Sequence, residues 1–204
     1  GFSRDYRRIE EFHDGFYDKH NWVSPWTISA CNVDSPIMIV GQDWASEEFL
    51  AGPANTRQQA LGHDPDLPTN KNLKYLLREA FDRELSDVFA TNAFVFVKLG
   101  GMGTRIPLKD LRRCVETYTL REVEIIRPKM LLCMGTHAFN AFRAALGHSY
   151  QPLNQARYSM PEVTFQETEI YGVPHVGARG LNSTGGRPKS LEIWLQLASR
   201  LSQL

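Results

Sequence analysis

The sequence predicts an α/β fold, a three-layer α/β/α sandwich around a mostly parallel, four-stranded central sheet. Short apolar runs without polar alternation, such as residues 37–40, are typical of parallel strands that are buried on both faces. These runs alternate along the chain with amphipathic stretches of helical periodicity. The chain has 204 residues, 42% of them hydrophobic and 23% charged, which is enough for one domain, residues 1–204, with a substantial core.

In the first half of the chain, helical spacing of apolar residues predicts helices, and apolar runs predict strands. Segments rich in Gly, Pro and Asn predict loops. The predicted elements are an N-terminal helix at 2–20, a loop with Trp22 and Trp26, a strand at 36–42, a long loop at 51–70, a helix at 71–84 capped by Thr69 or Asn70, and a strand at 87–95.

In the second half, proline is favoured at helix starts, and glycine is favoured just after helix ends. The predicted elements are a loop at 98–105, a helix from Pro107 to just before Pro128, a strand at 130–134, a helix at 136–146 closed by Gly147, an irregular stretch at 148–162, an extra strand at 164–171, a last core strand at 173–178, a Gly-rich loop at 177–187 and a helix at 188–203.

The first predicted strand ends in a carboxylate. Gly41, Gln42 and Asp43 follow its apolar run directly. Open α/β sheets bind ligands at the carboxyl ends of their strands, so Asp43 is a candidate for chemistry. The alternative is that Asp43 caps the next helix, whose first turn would contain Glu47 and Glu48.

Three further segments are expected at the same edge of the sheet: Thr91-Asn92, Gly135-Thr136-His137 and residues 177–183. The Asn92 amide can read the edge of a base or serve a purely structural role. The loop at 177–187 has four glycines, hydroxyls and Arg187, which suit a phosphate backbone, although ordinary turn chemistry explains the same composition.

Composition excludes several functional classes. Net charge is zero, but residues 1–94 carry −6 and residues 95–204 carry +6, so the second half can face phosphates. The alternative, favoured for most of them, is that Arg112, Arg113, Arg121 and Arg127 form the solvated face of one helix. Three widely spaced cysteines cannot supply the four ligands of an iron–sulfur cluster, and we expect no metal site. An odd cysteine count fits a reducing compartment, so we expect a cytoplasmic protein. No apolar run is long enough to span a membrane.

The strand-end segments, in this order, resemble the uracil-DNA glycosylase superfamily over about residues 35–200. The family's first strand ends in Gly-Gln-Asp-Pro-Tyr, and this chain has Gly41-Gln42-Asp43-Trp44-Ala45. The resemblance implies that Asp43 supports the attacking water and the sugar cation. It also implies that Gly41 and Gln42 lie against the flipped uracil and that Asn92 reads it. Residues 52–55, Gly-Pro-Ala-Asn, are similar to a further family element.

The late family motif corresponds to residues 177–182, which differ from it. Leu181 matches the wedge that fills the hole left by the flipped nucleotide. Gly177 matches the His that supports the leaving uracil, so His175, Arg179 or backbone donors of the loop are expected to replace it. Trp44 stands in place of Pro, where it could stack on a base or simply pack. Ala45 replaces the Tyr that excludes thymine, which implies a wider pocket.

The resemblance implies a monomeric DNA-repair enzyme that hydrolyses the N-glycosidic bond of uracil in single- or double-stranded DNA. Free uracil and an abasic site are the products, and no metal or organic cofactor is required. Leu181, Asn182, Ser183 and Arg187 are the expected DNA contacts. Two alternatives stay open: a glycosylase-like fold that binds DNA or damaged bases without cutting, and a small-molecule hydrolase or phosphate binder on a flavodoxin-like sheet.

Overall fold

The protein forms a three-layer sandwich in a computed structural model that describes residues 6–18, 24–161 and 163–204. Its strands are β1 (Tyr6–Arg7), β2 (Ile37–Asp43), β3 (Phe89–Phe94), β4 (Val97–Lys98), β5 (Met130–Met134), β6 (Val163–Phe165) and β7 (Thr168–Val173). Its helices are α1 (Glu47–Leu50), α2 (Thr56–Leu61), α3 (Pro68–Phe81), α4 (Leu108–Cys114), α5 (Leu120–Ile126), α6 (Thr136–Ala145), α7 (Ala178–Thr184) and α8 (Arg187–Leu201).

The central sheet has the strand order β3-β2-β5-β7-β6. The first four strands run parallel, and β6 pairs antiparallel with β7. The predicted α/β/α sandwich with a mostly parallel sheet is therefore confirmed, but this sheet has five strands and not four. β1 and β4 form a separate antiparallel pair beside it.

The two helical layers pack on opposite faces of the sheet. Successive side chains of a strand point to opposite faces. Ile37 and Ile39 therefore pack with residues of α3 and α8, whereas Met38 and Val40 pack with residues of α4, α5 and α6. All four side chains are at most 1% exposed. This burial of β2 on both faces explains why its sequence is an unbroken apolar run.

The N-terminal helix predicted at 2–20 is wrong for the part of it that the structure describes, residues 6–18. These residues form β1 and two short 3-10 turns. His13 and Asp14 have positive φ angles of 50° and 53°. A right-handed helix cannot contain this left-handed conformation. Trp22, in the loop predicted after it, lies outside the described residues.

The long loop predicted at 51–70 contains α2 and the start of α3. Asn55 caps α2, because its side chain accepts a hydrogen bond from the backbone of the first turn at 3.0 Å. α3 begins at Pro68, a residue favoured in the first turn of a helix. Thr69 and Asn70, the predicted cap residues, therefore lie inside α3.

The long helix predicted before Pro128 runs through α4, a π-helical segment at Val115–Thr119 and α5. Arg127 ends it with a φ of 51°. The strand at 130–134 and the helices at 136–146 and 188–203 agree with β5, α6 and α8 to within two residues. None of the helices in the described ranges is both long and apolar enough to cross a bilayer.

The last core strand is β7, and not residues 173–178 as the sequence predicts. A two-residue turn at 166–167 joins β6 to β7, so the extra strand predicted at 164–171 is a hairpin. Pro174 cannot donate a backbone hydrogen bond, and β7 ends at the residue before it. The chain then connects to α7 through residues 174–177.

Candidate active site

A cavity of about 490 Å³ opens at the carboxyl edge of the central sheet. Asp43 at the end of β2, Asn92 of β3 and His175 after β7 all line it. The structure thus brings together six of the predicted site residues, these three with Gly41, Gln42 and Trp44, because parallel strands present their carboxyl ends at one edge. Further wall comes from residues 58–70 and from Met102, in the turn after β4.

Asp43 is the last residue of β2, and its side chain is only 6% exposed. Gln42 donates a hydrogen bond from Nε2 to Asp43 Oδ1 at 2.7 Å. The alternative role of Asp43 as a helix cap is wrong. The cap of α1 is Ser46, whose side chain accepts from Phe49 N. The Asp43 carboxylate therefore lines the cavity and takes no part in capping α1.

Lys98 supplies a second charge at the same place. Its Nζ lies 2.8 Å from Asp43 Oδ2, and its side chain is 4% exposed. The contact is an ion pair without directed hydrogen-bond geometry, and Nζ also donates a hydrogen bond to Met102 O at 2.6 Å. The ammonium and the carboxylate neutralise each other in a site that is shielded from water.

Asn92 and Gly41 are direct partners in the register of β2 and β3. A Cβ atom on Gly41 would lie 2.6 Å from Asn92 Oδ1 and 3.4 Å from the ring of Trp26. Only glycine leaves room for this close packing. Asn92 is 3% exposed and donates from Nδ2 to Ser24 Oγ at 2.7 Å. The amide is thereby held in one orientation at the cavity wall.

Trp26 and Trp44 are the two tryptophans of the cavity. Trp26 stands in a 3-10 turn, Pro25–Ile28, and is 7% exposed. Trp44 donates from Nε1 to Gly62 O at 2.8 Å and meets the ring of Tyr17 edge-on at 5.4 Å. Trp44 is therefore fixed by the packing around it while it still lines the cavity.

His175 contributes an imidazole to the cavity. Gly177 N donates to His175 Nδ1 at 3.0 Å, so Nδ1 is an acceptor. In the neutral ring the proton must then be on Nε2. Although His175 is exposed to solvent, partial desolvation lowers the pKa of its imidazole, and the negative charge of Asp43 opposes this shift. The arrangement therefore favours a neutral ring with an Nε2–H donor.

The histidine of the late segment is thus at position 175, two residues before the position that the resemblance indicates. A Cβ atom on Gly177 would lie 2.9 Å from the ring of His175 and from Thr69 Oγ1. A Cβ atom on Gly180 would lie 1.8 Å from His175 O. Glycine at both positions leaves the space that the backbone and ring of His175 occupy.

Gln58 and His63 line the same cavity from the segment between α1 and α3. They are 3% and 2% exposed. Gln58 Oε1 and His63 Nε2 accept or donate no hydrogen bond within the part of the chain that the structure describes. The sequence predicted neither residue as part of the site.

A family model described as "Uracil DNA glycosylase superfamily" matches residues 28–198. The chain belongs to this superfamily. The match spans β2 to α8 and therefore includes every residue of the cavity except Trp26, which lies just before it.

A relative with a described activity is the Type-4 uracil-DNA glycosylase of Sulfurisphaera tokodaii. It is 26% identical to this chain over 104 residues, which are 51% of the chain and 46% of that protein. The aligned region thus spans about half of each protein.

Residues 177–187, the late segment of this chain, do not form the loop that the sequence predicts. Residues 178–184 form α7, which turns Leu181 inward, where it is 7% exposed. Leu181 therefore does not project from the surface in this conformation, and its role as a wedge stays a prediction. Asn182 and Ser183 are exposed, and Ser183 Oγ donates back to Gly180 O at 2.8 Å.

The two arginines of this segment have different surroundings. Arg187 donates from Nε to Asn72 Oδ1 at 2.9 Å, and its guanidinium lies 5.3 Å from the ring centroid of Tyr75. Asn72 Nδ2 donates in turn to Val176 O at 2.8 Å, next to His175. Arg187 therefore braces the segment that carries His175. Arg179 is exposed and lines a second cavity of about 790 Å³, which shares His175 with the first.

Cys133 does not join the site. It lies within β5 and is fully buried, and burial raises the pKa of its thiol well above the ordinary value. A thiol that is buried and held protonated in this way is an inert core residue and not a nucleophile.

Proposed function

We propose that the protein excises uracil from DNA by hydrolysing the bond between uracil N1 and deoxyribose C1′. The observation that carries this proposal is the placement of Asp43, Asn92 and His175 around one cavity at the carboxyl edge of the sheet. A carboxylate, an amide and an N–H donor are the groups that this reaction needs. Superfamily membership supports the same activity.

The proposed reaction begins with a uracil nucleotide that has left the base stack and entered the cavity. Its extrusion costs a few kcal/mol, and less in single strands or U·G mispairs. The C1′–N1 bond breaks, and its electron pair leaves with uracil. Positive charge then develops on the sugar, and the Asp43 carboxylate stabilises it.

Water completes the reaction by attack on C1′. Its oxygen forms the new bond to the sugar, and Asp43 accepts the released proton. The products are an abasic site and uracil, which leaves as an anion. A neutral imidazole with its proton on Nε2 is suited to donate a hydrogen bond to a uracil oxygen, so His175 takes the role for which the sequence offered His175, Arg179 or backbone donors of the loop.

Base recognition is proposed for Gly41, Gln42, Asn92 and Trp44. Asn92 presents an amide at the cavity wall, and Gly41, whose missing side chain leaves room for Asn92 and Trp26, lines the cavity next to it. Trp26, which packs beside Gly41, is added here as an aromatic wall.

DNA contacts are proposed for the exposed residues Arg179, Asn182 and Ser183 beside the cavity. Arg187 and Leu181 are left out, because the first braces Asn72 and the second is buried.

Incubation with a uracil-containing oligonucleotide, followed by alkali, tests the proposal directly. Strand cleavage at the uracil position is the expected result, and an oligonucleotide with cytosine at that position is the control. Binding of the oligonucleotide without cleavage would favour the alternative of a protein that binds damaged DNA without cutting. Neither binding nor cleavage would favour the small-molecule alternative.

A further inference from the structure

Besides Asp43 Oδ2, which is paired with Lys98, two buried polar atoms in the cavity wall lack hydrogen-bond partners among the described residues. Gln58 Oε1 and His63 Nε2 are both enclosed, and neither makes a hydrogen bond to any described residue. A buried polar atom without a partner costs about 1–3 kcal/mol. Native proteins leave few such atoms, so each one calls for a partner or a role. Both residues line the cavity of the proposed reaction.

The hydrogen bonds of His63 determine which kind of ligand atom it can contact. His63 Nδ1 lies 2.9 Å from Leu61 O and 2.9 Å from Ser29 Oγ. A carbonyl oxygen only accepts, so Nδ1 must carry the proton. In the neutral ring, Nε2 is then a bare acceptor. Desolvation lowers the pKa of His63 and so favours this neutral form.

The position of His63 is fixed relative to Asn92. Ser29 contacts His63, and Ser24 accepts from Asn92. These two serines lie on either side of the short turn that carries Trp26. The turn at Pro25–Ile28 carries Trp26, and the serines on either side of it contact His63 and Asn92. This one short segment therefore supports three residues of the cavity wall.

We propose that His63 Nε2 accepts a hydrogen bond from the ring N–H of a lactam base, with the Gln58 amide beside it, and so contributes to base selection. The identity of the base rests on the proposed function. Uracil N3 carries a hydrogen between two carbonyl groups, whereas cytosine N3 carries a lone pair. An acceptor at this place attracts uracil and repels cytosine, because two lone pairs would otherwise face each other in a buried site.

The contact can be observed without any catalysis. Protein with ¹⁵N-labelled histidine is titrated with 1-methyluracil, which keeps the N3–H, and with 1,3-dimethyluracil, in which a methyl group replaces it. We expect the Nε2 resonance of His63 to move with the first compound and not with the second. His63→Phe assigns the resonance by removing it. An equal response to both compounds, or no response to either, overturns the proposal.

Base release gives the second measurement. His63→Phe keeps an aromatic ring and removes the acceptor, so we expect uracil release to fall roughly 10- to 100-fold, the usual effect of one lost buried hydrogen bond. His148→Phe, at an exposed histidine outside the cavity, is the matched control. Uracil release by His63→Phe at the wild-type rate contradicts the proposal.

The two measurements separate this inference from the proposed function. If the wild-type protein releases no uracil but its His63 Nε2 responds to 1-methyluracil alone, the proposed excision is wrong and the base contact stands. If uracil is released while Nε2 does not respond, excision stands and the His63 contact is wrong.

Discussion

Lys98 Nζ lies 2.8 Å from Asp43 Oδ2, and both side chains are almost completely buried. The pair places a compensating positive charge next to the carboxylate proposed to act on the sugar. Since Nζ also donates to Met102 O, the ammonium is anchored and holds one carboxylate oxygen in place. Gln42 holds the other oxygen through a hydrogen bond of 2.7 Å.

Asp43→Asn tests the central residue of the proposal. The amide keeps the shape of the side chain but cannot stabilise the sugar cation or accept the proton of water. We expect uracil release to fall about 100- to 10,000-fold while affinity for a uracil-containing oligonucleotide is retained. Single-turnover release and a binding titration measure the two effects. Unchanged release would remove Asp43 from the reaction.

Lys98→Met tests the ion pair. The substitution leaves the Asp43 charge buried without its partner, which is strongly destabilising, by about 3–5 kcal/mol. We expect a lower melting temperature and slower uracil release. The double variant Lys98→Met/Asp43→Asn removes both charges and should recover much of the stability. If Asp43→Asn changes the stability by the same amount in the wild type and in Lys98→Met, the pair is not coupled.

Asn92→Ala tests base recognition. Loss of the amide removes a group that can distinguish the edge of uracil from that of cytosine or thymine, so we expect a lower ratio of uracil to cytosine and thymine release. Competition between oligonucleotides that carry each base measures the ratio. Ser24→Ala, which removes only the hydrogen bond that orients Asn92, should have a smaller effect in the same direction. Wild-type selectivity in Asn92→Ala would exclude it from base reading.

Arg179→Ala and Arg187→Ala form a matched pair. Arg179 is exposed beside the cavity, so its removal should weaken DNA binding and reduce the dependence of binding on salt concentration by about one phosphate contact. Arg187 is engaged with Asn72, so its removal should mainly reduce stability, by about 0.5–1.5 kcal/mol. Binding titrations at several salt concentrations and chemical denaturation measure these effects. If Arg187→Ala weakens DNA binding and Arg179→Ala does not, Arg187 and not Arg179 is the DNA contact.

Glu122→Gln tests a buried carboxyl group behind β3. Burial raises the pKa of Glu122 from 4.5 to about 7, and Thr91 Oγ1 donates to it at 3.2 Å. The folded protein therefore binds this proton more tightly than the unfolded chain. The contribution of Glu122 to stability falls as the pH rises from about 4.5 to about 7, by up to about 3 kcal/mol, and is constant above that.

The comparison of Glu122→Gln with the wild type isolates this group from all others that titrate. We expect similar stabilities near pH 4.5 and a more stable variant at pH 8. Denaturant unfolding of both proteins across this range measures the difference. A difference that does not change with pH would show that Glu122 titrates normally.

The local sequence pattern was sufficient to predict β2 and the position of Asp43 at its end. A parallel strand buried on both faces must be apolar throughout, so its run of four apolar residues and its polar end are visible in the chain. The same reasoning applies to β5 and to the helices that begin near a proline or end near a glycine. Local pattern failed at the late segment, where Pro174 ends the strand earlier than the apolar residues suggest. It failed there again because α7 buries Leu181.

The sequence by itself thus determined the fold class, the family and the position of Asp43, because strand burial and strand ends leave periodic and local signals. Only the tertiary structure decided which side chains surround that carboxylate. Lys98, His63 and Trp26 come from segments that the sequence predicts as loops, and no local periodicity reports a contact between residues that are distant in the chain. Their convergence follows from how the sheet and its connecting segments pack, and this packing also places His175 instead of residue 177 in the cavity.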